Sequence, residues 1–360
     1  MIRFAFVIHP LHARDVSRKY PIAKYLPESV IEAFLLRKHP ILVSNIDGIR
    51  SKTGVETEGW FVGLPLTPHQ VLKTVAIEKV YERIVQCTEV AAEAGAQLIG
   101  LGAFSAVVGD GGLTVAKRSP IGVTTGNSYT VATAIQGTLK ACHLLEVDLP
   151  NSTLAVVGAT GSIGKTCARI LGREFGSILL VGRDLERTQE VAKEIPNATA
   201  SNSVKSILAA DAVITVTSSE TAVVLPEHLK AGAIVCDVAR PRDVSIRVAK
   251  QRPDVLVIEG GVVKVPGDVK FRFDFDFPAQ TAYACMSETM ILALEGDPSL
   301  YNFTLGKDVS VEQVDTITAL AEKHGFELAG FRSFEKAVGE EAIVRARKAR
   351  ITGPTVPRTT

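Results

Sequence analysis

No sign of charge dominates this sequence. Forty basic residues stand against 39 acidic ones, a formal net charge of +1, so no overall field points to a nucleic acid partner. Its five cysteines (Cys87, Cys142, Cys167, Cys236, Cys285) are scattered, with no C-x-x-C and no histidine nearby at metal spacing. That pattern argues against a zinc site and against a disulfide framework, and for a reducing cytoplasm; no metal is expected. No stretch approaches the ~18 apolar residues that span a bilayer, so no transmembrane segment is expected. The apolar run within Met1–Pro10 is too short for a secretory leader, and a cytoplasmic location is expected. What the chain does have is length for about two domains and 46% hydrophobic content, ample for sizeable cores.

The most informative stretch is Leu154-Ala-Val-Val-Gly-Ala-Thr-Gly-Ser-Ile-Gly-Lys-Thr166. An apolar, β-branched run ends in three glycines spaced three apart, Gly158, Gly161 and Gly164, and a helical pattern follows at once. A strand, a tight turn and a helix start together set a diphosphate on backbone N–H groups at a positive helix end. In a dinucleotide fold Gly158 makes the turn, Gly161 lets the backbone approach the pyrophosphate, and Gly164 packs helix on strand, with Thr160, Ser162 and Ile163 lining the same turn. A phosphate-binding loop competes for these residues. Ala159 to Thr166 reads A-T-G-S-I-G-K-T, close to G-x-x-x-x-G-K-[ST], and Ile234-Val-Cys-Asp237 resembles the magnesium-binding strand of such a protein. A purely structural glycine turn is the third reading.

The next strand bears on the choice. Ile178 to Val181 runs into Gly182-Arg183-Asp184-Leu185-Glu186-Arg187. Where the second strand of a dinucleotide fold meets the adenosine ribose, an acid binds the 2′-hydroxyl of NAD and an arginine accommodates the 2′-phosphate of NADP. Asp184 speaks for NAD, but it also suits capping the following helix. Arg183 and Arg187 stand one helical turn apart, and two cations outweigh that acid. A phosphate-loop protein has no use for the pair, so the dinucleotide reading leads, with NADPH as the expected cofactor.

The expected fold class is α/β. Residues 1–150 form a first unit, with strands at Arg3 to Ile8, Ile41 to Ile49, Val55 to Val62 and Gln97 to Leu101. Helical periodicity runs from Pro68 to Ala94, and a glycine-rich loop spans Val108 to Leu113. Thr124 to Thr130 opens a helix to about Leu145. Residues 151–268 alternate strand and helix, with strands expected at 153–158, 177–182, 212–217, 233–237 and 255–258, the pattern of a doubly wound parallel sheet. Ligands lie beyond the carboxyl ends of such strands, which adds Thr217, Ser218, Gly260 and Gly261 to the candidate cofactor residues; turn chemistry and helix capping explain the same residues equally well. Phe271-Arg-Phe-Asp-Phe-Asp-Phe277 alternates strictly, as a strand burying one face or a wall for an apolar substrate. A helix is expected from Ala279 to Glu295, carrying Cys285 about two turns in, and another from Ser310 to His324. The basic stretch 339–360 is expected to be mobile.

Several of these segments together resemble a known family. Val157-Gly-Ala-Thr-Gly-Ser-Ile-Gly164, Thr124-Thr-Gly-Asn127, Glu259-Gly-Gly-Val-Val263, Tyr283-Ala-Cys-Met-Ser-Glu-Thr-Met290 and His324-Gly-Phe326 occur in the order seen in the long-chain acyl-acyl carrier protein reductases of cyanobacteria. The resemblance runs to about residue 330. It implies the fold shared with shikimate dehydrogenase and glutamyl-tRNA reductase. There an N-terminal α/β substrate domain (1–150) precedes the Rossmann-type NADP domain (151–268), and the chain (269–338) then returns to pack on the first domain. It also implies NADPH-dependent reduction of a fatty acyl thioester to a fatty aldehyde, with Cys285 as the nucleophile that carries the acyl group. The acyl donor would be an acyl carrier protein, or acyl-CoA. An acidic carrier protein asks for a local basic patch, and Arg14, Arg18, Lys19 and the 345–350 cluster are its candidates. Tyr129 stands where the family tends to have histidine, Met286 replaces an aromatic residue, and Asp237 to Asp243 differs.

The chemistry sets its own demands. The attacking group must leave again as readily as a carrier thiolate, which a cysteine does and a serine does not. Asn127 or Ser128 is placed to stabilise the oxyanion. Two further readings differ in class: an alcohol or hydroxy-acid dehydrogenase of the shikimate type, which needs no cysteine, and a non-catalytic NADP-binding sensor.

Overall fold

The computed structural model describes residues 1–10, 16, 21–273 and 277–353. They gather into two compact units. One comprises Met1–Gly126, Lys264–Lys307 and Thr316–Glu327, the other Asn127–Val263, Asp308–Asp315 and Leu328–Thr360. The chain thus changes unit at Gly126, ahead of the boundary expected near residue 150. The reason is local: the helix Asn127–Leu144 packs on the second unit's sheet, with the Ala134 carbonyl 3.9 Å from Cys236 Sγ and Gly137 against Ile258.

The first unit is built on five strands, β1 (Phe4–Ile8), β2 (Ile41–Arg50), β3 (Glu56–Gly63), β4 (Leu98–Gly100) and β5 (Gly122–Thr124). With the edge segment Gly267–Lys270 they form one sheet in the order Gly267–Lys270, β2, β3, β1, β4, β5. β1 runs parallel to both β3 and β4, and β4 to β5, while β2 is antiparallel to its neighbours. The central strands are buried on both faces, which explains their continuous apolar runs. The helix Ile77–Glu93 covers one face, burying Val80, Tyr81, Ile84, Cys87 and Ala91 at helical spacing against Ala5, Val7 and Val62. Helical structure does begin at Pro68, as expected, but it is not continuous: Pro68 and His69 lead into a short π-helical turn, Gln70–Thr74, and extended Val75 and Ala76 separate that from the helix proper.

The second unit holds β6 (Thr153–Val157), β7 (Ser177–Val181), β8 (Ala198–Ser201), β9 (Ala212–Thr215), β10 (Ile234–Asp237) and β11 (Leu256–Glu259). All are parallel, in the order β11-β10-β9-β6-β7-β8. This is a doubly wound, Rossmann-type sheet whose order reverses between β6 and β9, the point where such sheets take their ligands. Strand β8, Ala-Thr-Ala-Ser, carries too little apolar character to be read from sequence.

Two further expectations are corrected. The 339–360 segment is not a loose tail over its described part: Glu340–Thr352 is a helix, tied down by Arg350 on Asp211 at 2.8 Å and by Arg347 on the Leu144 carbonyl at 2.8 Å. The alternating Phe271 to Phe277 run is not a strand where it is described. The strand ends at Lys270, Arg272 has φ +52°, and Phe271 and Phe273 both turn to Phe61, with ring centroids 6.1 and 5.9 Å away. Residues 274–276 lie outside the described residues. Among the described residues no helix is long and apolar enough to cross a membrane.

Candidate functional site

In the second unit the glycine-rich turn has the geometry its spacing suggests. Gly158 follows β6 with φ +88°, and a Cβ there would stand 2.7 Å from the Val216 carbonyl oxygen. Gly164 lies in the first turn of the helix Ser162–Leu171, and a Cβ on it would sit 2.5 Å from the Gly158 oxygen. Both glycines are therefore demanded by the protein's own packing. Gly161 is different. It is the N-cap of that helix, it is exposed, and a Cβ there would touch only the Gly158 oxygen, at 3.4 Å. Glycine at 161 keeps open the space in front of the first-turn N–H groups of Ser162, Ile163 and Gly164, which have no partners within the helix. A diphosphate fits that cradle. The Asn127 amide reaches Ser162 Oγ at 3.4 Å, so in this unit Asn127 belongs with the glycine turn. Ser128, next along the helix, is fully buried. Tyr129 and Met286, two of the departures from the family pattern, are buried as well.

The phosphate-loop alternative fits poorly. Lys165, which would have to meet phosphate, lies 3.8 Å from Glu194 and 3.7 Å from Asp308. Asp237, which would have to hold magnesium, is 1% exposed and accepts the backbone N–H groups of Ala239, Asp243 and Val244. At the end of β7 the capping role of Asp184 is observed: its Oδ1 accepts from Arg187 N at 3.1 Å. Arg183 and Arg187 are exposed, and neither guanidinium forms an ion pair among the described residues.

Around the remaining candidates the structure favours internal roles. The Thr217 hydroxyl donates to Asp243 Oδ1 and its N–H to Oδ2, while Thr215 donates to the same carboxylate. Thr217 can therefore offer a ligand only what this clamp leaves over, whereas Ser218 is exposed. Gly260 is required by packing, since a Cβ would lie 2.8 Å from Val238 and 2.9 Å from Cys236 Sγ; Gly261 has φ +80° in the turn.

The Asp237–Asp243 pair is the main buried acid cluster behind these turns. Burial pushes Asp237 up to about 6, partly offset by the Arg240 guanidinium, and burial raises Asp243 as well. For Asp237 the folded value lies above the unfolded one of 3.8. Its protonated form is therefore favoured by folding. That stabilisation is full below 3.8 and lost as pH rises through 6, worth about 2–3 kcal/mol. Asp237→Asn should remove this component. The urea midpoint at pH ~7.5 relative to that at pH ~4.5 should be higher in the variant than in the parent, and the same pH dependence in both would refute the assignment.

In the first unit the sequence places Cys285 deep in a helix, and the structure corrects this. Gln280 has φ +60° and Thr281–Tyr283 is extended, so the helix begins only at Ala284 and runs to Glu295. Cys285 therefore sits in the first turn, where helix N–H groups and the macrodipole favour a thiolate. Its neighbour is the loop after β5. Gly126, φ +73°, packs so closely that a Cβ would fall 2.4 Å from Cys285 Cα and 2.5 Å from its Cβ. That loop is itself fixed. The Thr124 hydroxyl donates to Glu288 Oε1 at 2.5 Å and accepts from Thr304 N at 3.3 Å, and Thr125 N donates to the Thr304 carbonyl at 2.9 Å. Glu288 is fully buried one turn beyond Cys285. Sequence reasoning passed over both Glu288 and Thr304; the three-residue spacing of Cys285 and Glu288 was the available signal. The helix reaches this position because β4 ends in glycine: a Cβ on Gly100 would meet Thr289 Oγ1 at 2.1 Å.

Cys285 also differs from the other four thiols. Cys87, Cys142, Cys167 and Cys236 are buried, and Cys285 is half-buried. Burial pushes Cys142 and Cys236 up to about 12 and raises Cys87 and Cys167 well above the usual thiol range. His9, the residue after β1, has both ring nitrogens engaged, with the Pro10 carbonyl at 3.1 Å and Phe104 N at 3.3 Å, and burial holds its imidazole below the ordinary range. Of the basic residues considered for carrier docking, Arg345, Arg347 and Arg350 bond to their own unit, and Arg14, Arg18 and Lys19 lie outside the described residues.

Sheet order and glycine turn define an α/β protein of Rossmann type. Residues 140–259 match the family described as shikimate/quinate 5-dehydrogenase. The chain is 29% identical to the aminotransferase PigE of Serratia sp. over 96% of its own length, and spans 42% of that protein. It is 26% identical to the long-chain acyl-[acyl-carrier-protein] reductase of Synechococcus elongatus, over 88% of this chain and 94% of the relative. L-tryptophan dehydrogenase from Nostoc punctiforme aligns with 97% of this chain and 88% of its own at 14% identity, with a TM-score of 0.41.

Proposed function

We propose that the protein is an NADPH-dependent oxidoreductase that reduces a long-chain fatty acyl thioester to the aldehyde through an acyl group held on Cys285. The observation that carries this reading is the state of Cys285: a half-buried thiol in the first turn of a helix, beside four sealed ones. The similarity to the Synechococcus reductase over nearly the whole of both chains supports the substrate class. The aminotransferase name belongs to a protein of which this chain covers 42% and assigns no activity to this part.

The Cys285 thiolate attacks the thioester carbonyl and expels the carrier thiol, leaving the acyl group as a new thioester on the protein. First-turn N–H groups of the Cys285 helix offer donors to the developing oxyanion. The Gly158–Gly164 turn, with Arg183 and Arg187, would hold NADPH, which when bound would supply the hydride that takes the acyl group to the aldehyde level. Cys285 then departs as thiolate, and the aldehyde is released. Gly126 and the Thr124–Glu288 hydrogen bond hold the nucleophile's backbone in place throughout.

Incubation with a palmitoyl thioester and no NADPH should give a mass increase of one acyl group at Cys285, lost on adding NADPH with release of aldehyde. No adduct, together with turnover of a hydroxy acid, would favour the shikimate type of chemistry instead. Arg183 and Arg187 would bind the 2′-phosphate. The double change Arg183→Ser, Arg187→Ser should raise KM for NADPH by about 100-fold and leave KM for NADH nearly unchanged, consistent with about 1.5–3 kcal/mol for a charged hydrogen bond. Equal effects on both cofactors would remove the arginines from the site.

A further inference from the structure

We infer that the segment Pro21–Lys38 of the first unit is a docking face for an anionic lipid surface. It consists of a short 3-10 turn, Pro21–Tyr25, followed by the helix Glu28–Leu35. One side is used internally. Ile31 and Leu35 are buried with Ala23 and Val16, and the helix is pinned by Gln70 Nε2 on the Glu32 carbonyl at 3.0 Å and by Arg83 on the Leu36 carbonyl at 2.8 Å. The other side is apolar too, and it faces solvent. Ile22 is 70% exposed, Tyr25 82%, and Leu26, Val30 and Phe34 are also exposed. Val30 and Phe34 stand four residues apart on one face of the helix, and Ile22, Tyr25 and Leu26 are exposed in the turn that leads into it. A continuous patch of large exposed apolar side chains marks an interaction surface.

The charges around the patch identify the occupant. Within Pro21–Lys38, Lys24, Arg37 and Lys38 are exposed and Glu28 is the one exposed acid of that segment; Glu32 turns away to Thr67 at 2.6 Å and His69 at 3.3 Å. Their arrangement matters as much as their sign. The Arg37 guanidinium folds back onto the Ala33 carbonyl at 3.1 Å, and the Lys38 ammonium lies 4.6 Å from the centre of the Phe34 ring. Two of the three cations are thus drawn in along the helix, while Tyr25 and Ile22 are the most exposed apolar side chains of the segment. An acidic protein partner is best met by cations that project. A lipid interface takes the opposite order, apolar side chains entering the acyl boundary and cations level with the headgroup phosphates. The pinned inner side gives this face a fixed shape before it meets the surface. The inference is independent of the reaction proposed above, since it uses no residue of that site.

The test is cosedimentation of the full chain with vesicles of phosphatidylcholine alone or with phosphatidylglycerol added. The parent should sediment with the phosphatidylglycerol vesicles and much less with the neutral ones. Tyr25→Ser with Phe34→Ser should lower partitioning by about 10-fold or more, and Lys24→Ser with Lys38→Ser should abolish the preference for anionic lipid. Tyr25→Trp should show a blue-shifted emission on the anionic vesicles. All these positions are exposed, and circular dichroism should match the parent. Absence of sedimentation, or sedimentation untouched by the Tyr25/Phe34 change, overturns the inference. So does a concentration-dependent dimer, or binding to an acidic carrier protein, that the same change removes without any lipid binding.

Discussion

Replacing Cys285 by alanine is expected to lower aldehyde formation by at least ~1,000-fold, because loss of a covalent nucleophile removes the step it makes possible rather than slowing it. The fold should be undisturbed, as the side chain is only half-buried and a small residue replaces it. Cys285→Ser makes the sharper comparison. A hydroxyl at the same place forms an oxygen ester, which is a poorer hydride acceptor and whose alkoxide leaves less readily, so the serine variant should accumulate an acyl adduct without turning over. Cys142→Ala is the control: that thiol is buried and pushed up to about 12, and aldehyde formation should persist. Aldehyde measured by gas chromatography decides the matter, and full activity of Cys285→Ala would end the acyl-enzyme mechanism.

The second large effect concerns Gly126. Its φ of +73° already disfavours any other residue, and a Cβ would enter the backbone of Cys285, 2.4 Å from its Cα and 2.7 Å from its carbonyl oxygen. Neither contact is with a flexible side-chain end, so the strain cannot be relieved by a rotamer change. Gly126→Ala should therefore cost about 2–4 kcal/mol, the sum of an unfavourable dihedral and a steric displacement. Gly54 separates the two contributions. It has φ +87°, but a Cβ added there would find no other atom within 4 Å, so Gly54→Ala should cost only about 1 kcal/mol. Urea unfolding of the two variants measures the difference. If Gly126→Ala is no worse than Gly54→Ala, the packing of the loop on Cys285 has been misread. A surviving Gly126→Ala protein should also show altered alkylation of Cys285 by iodoacetamide.

Much of the second unit was legible because its signals are local. A parallel strand buried on both faces is a short aliphatic run, and β6, β7, β9, β10 and β11 all announce themselves that way. β8 does not, being an edge strand of small and polar residues. The three glycines could be assigned to a turn from spacing alone. Spacing could not divide their duties, since only three-dimensional neighbours reveal that 158 and 164 answer to packing while 161 leaves a space. In the first unit the start of the Cys285 helix was illegible for a related reason. Ala279 to Tyr283 has no helix breaker beyond Pro278, and what stops the helix is the left-handed Gln280 and the extended pairing of Thr281–Tyr283. The error of about one and a half turns mattered, because it moved the thiol from a neutral stretch of helix to its positive end. The Glu288–Thr124–Thr304 group was invisible to motif reading: Thr124 stands 164 residues from Glu288 and 180 from Thr304.

The unequal burial of the five sulfurs has a practical corollary. A disulfide-exchange dye added to the native protein should release one equivalent quickly, and the remaining four only once denaturant opens the cores. Loading the protein with an acyl group should abolish that first equivalent. The occupancy of Cys285 can thus be counted by colour, without labelling the substrate.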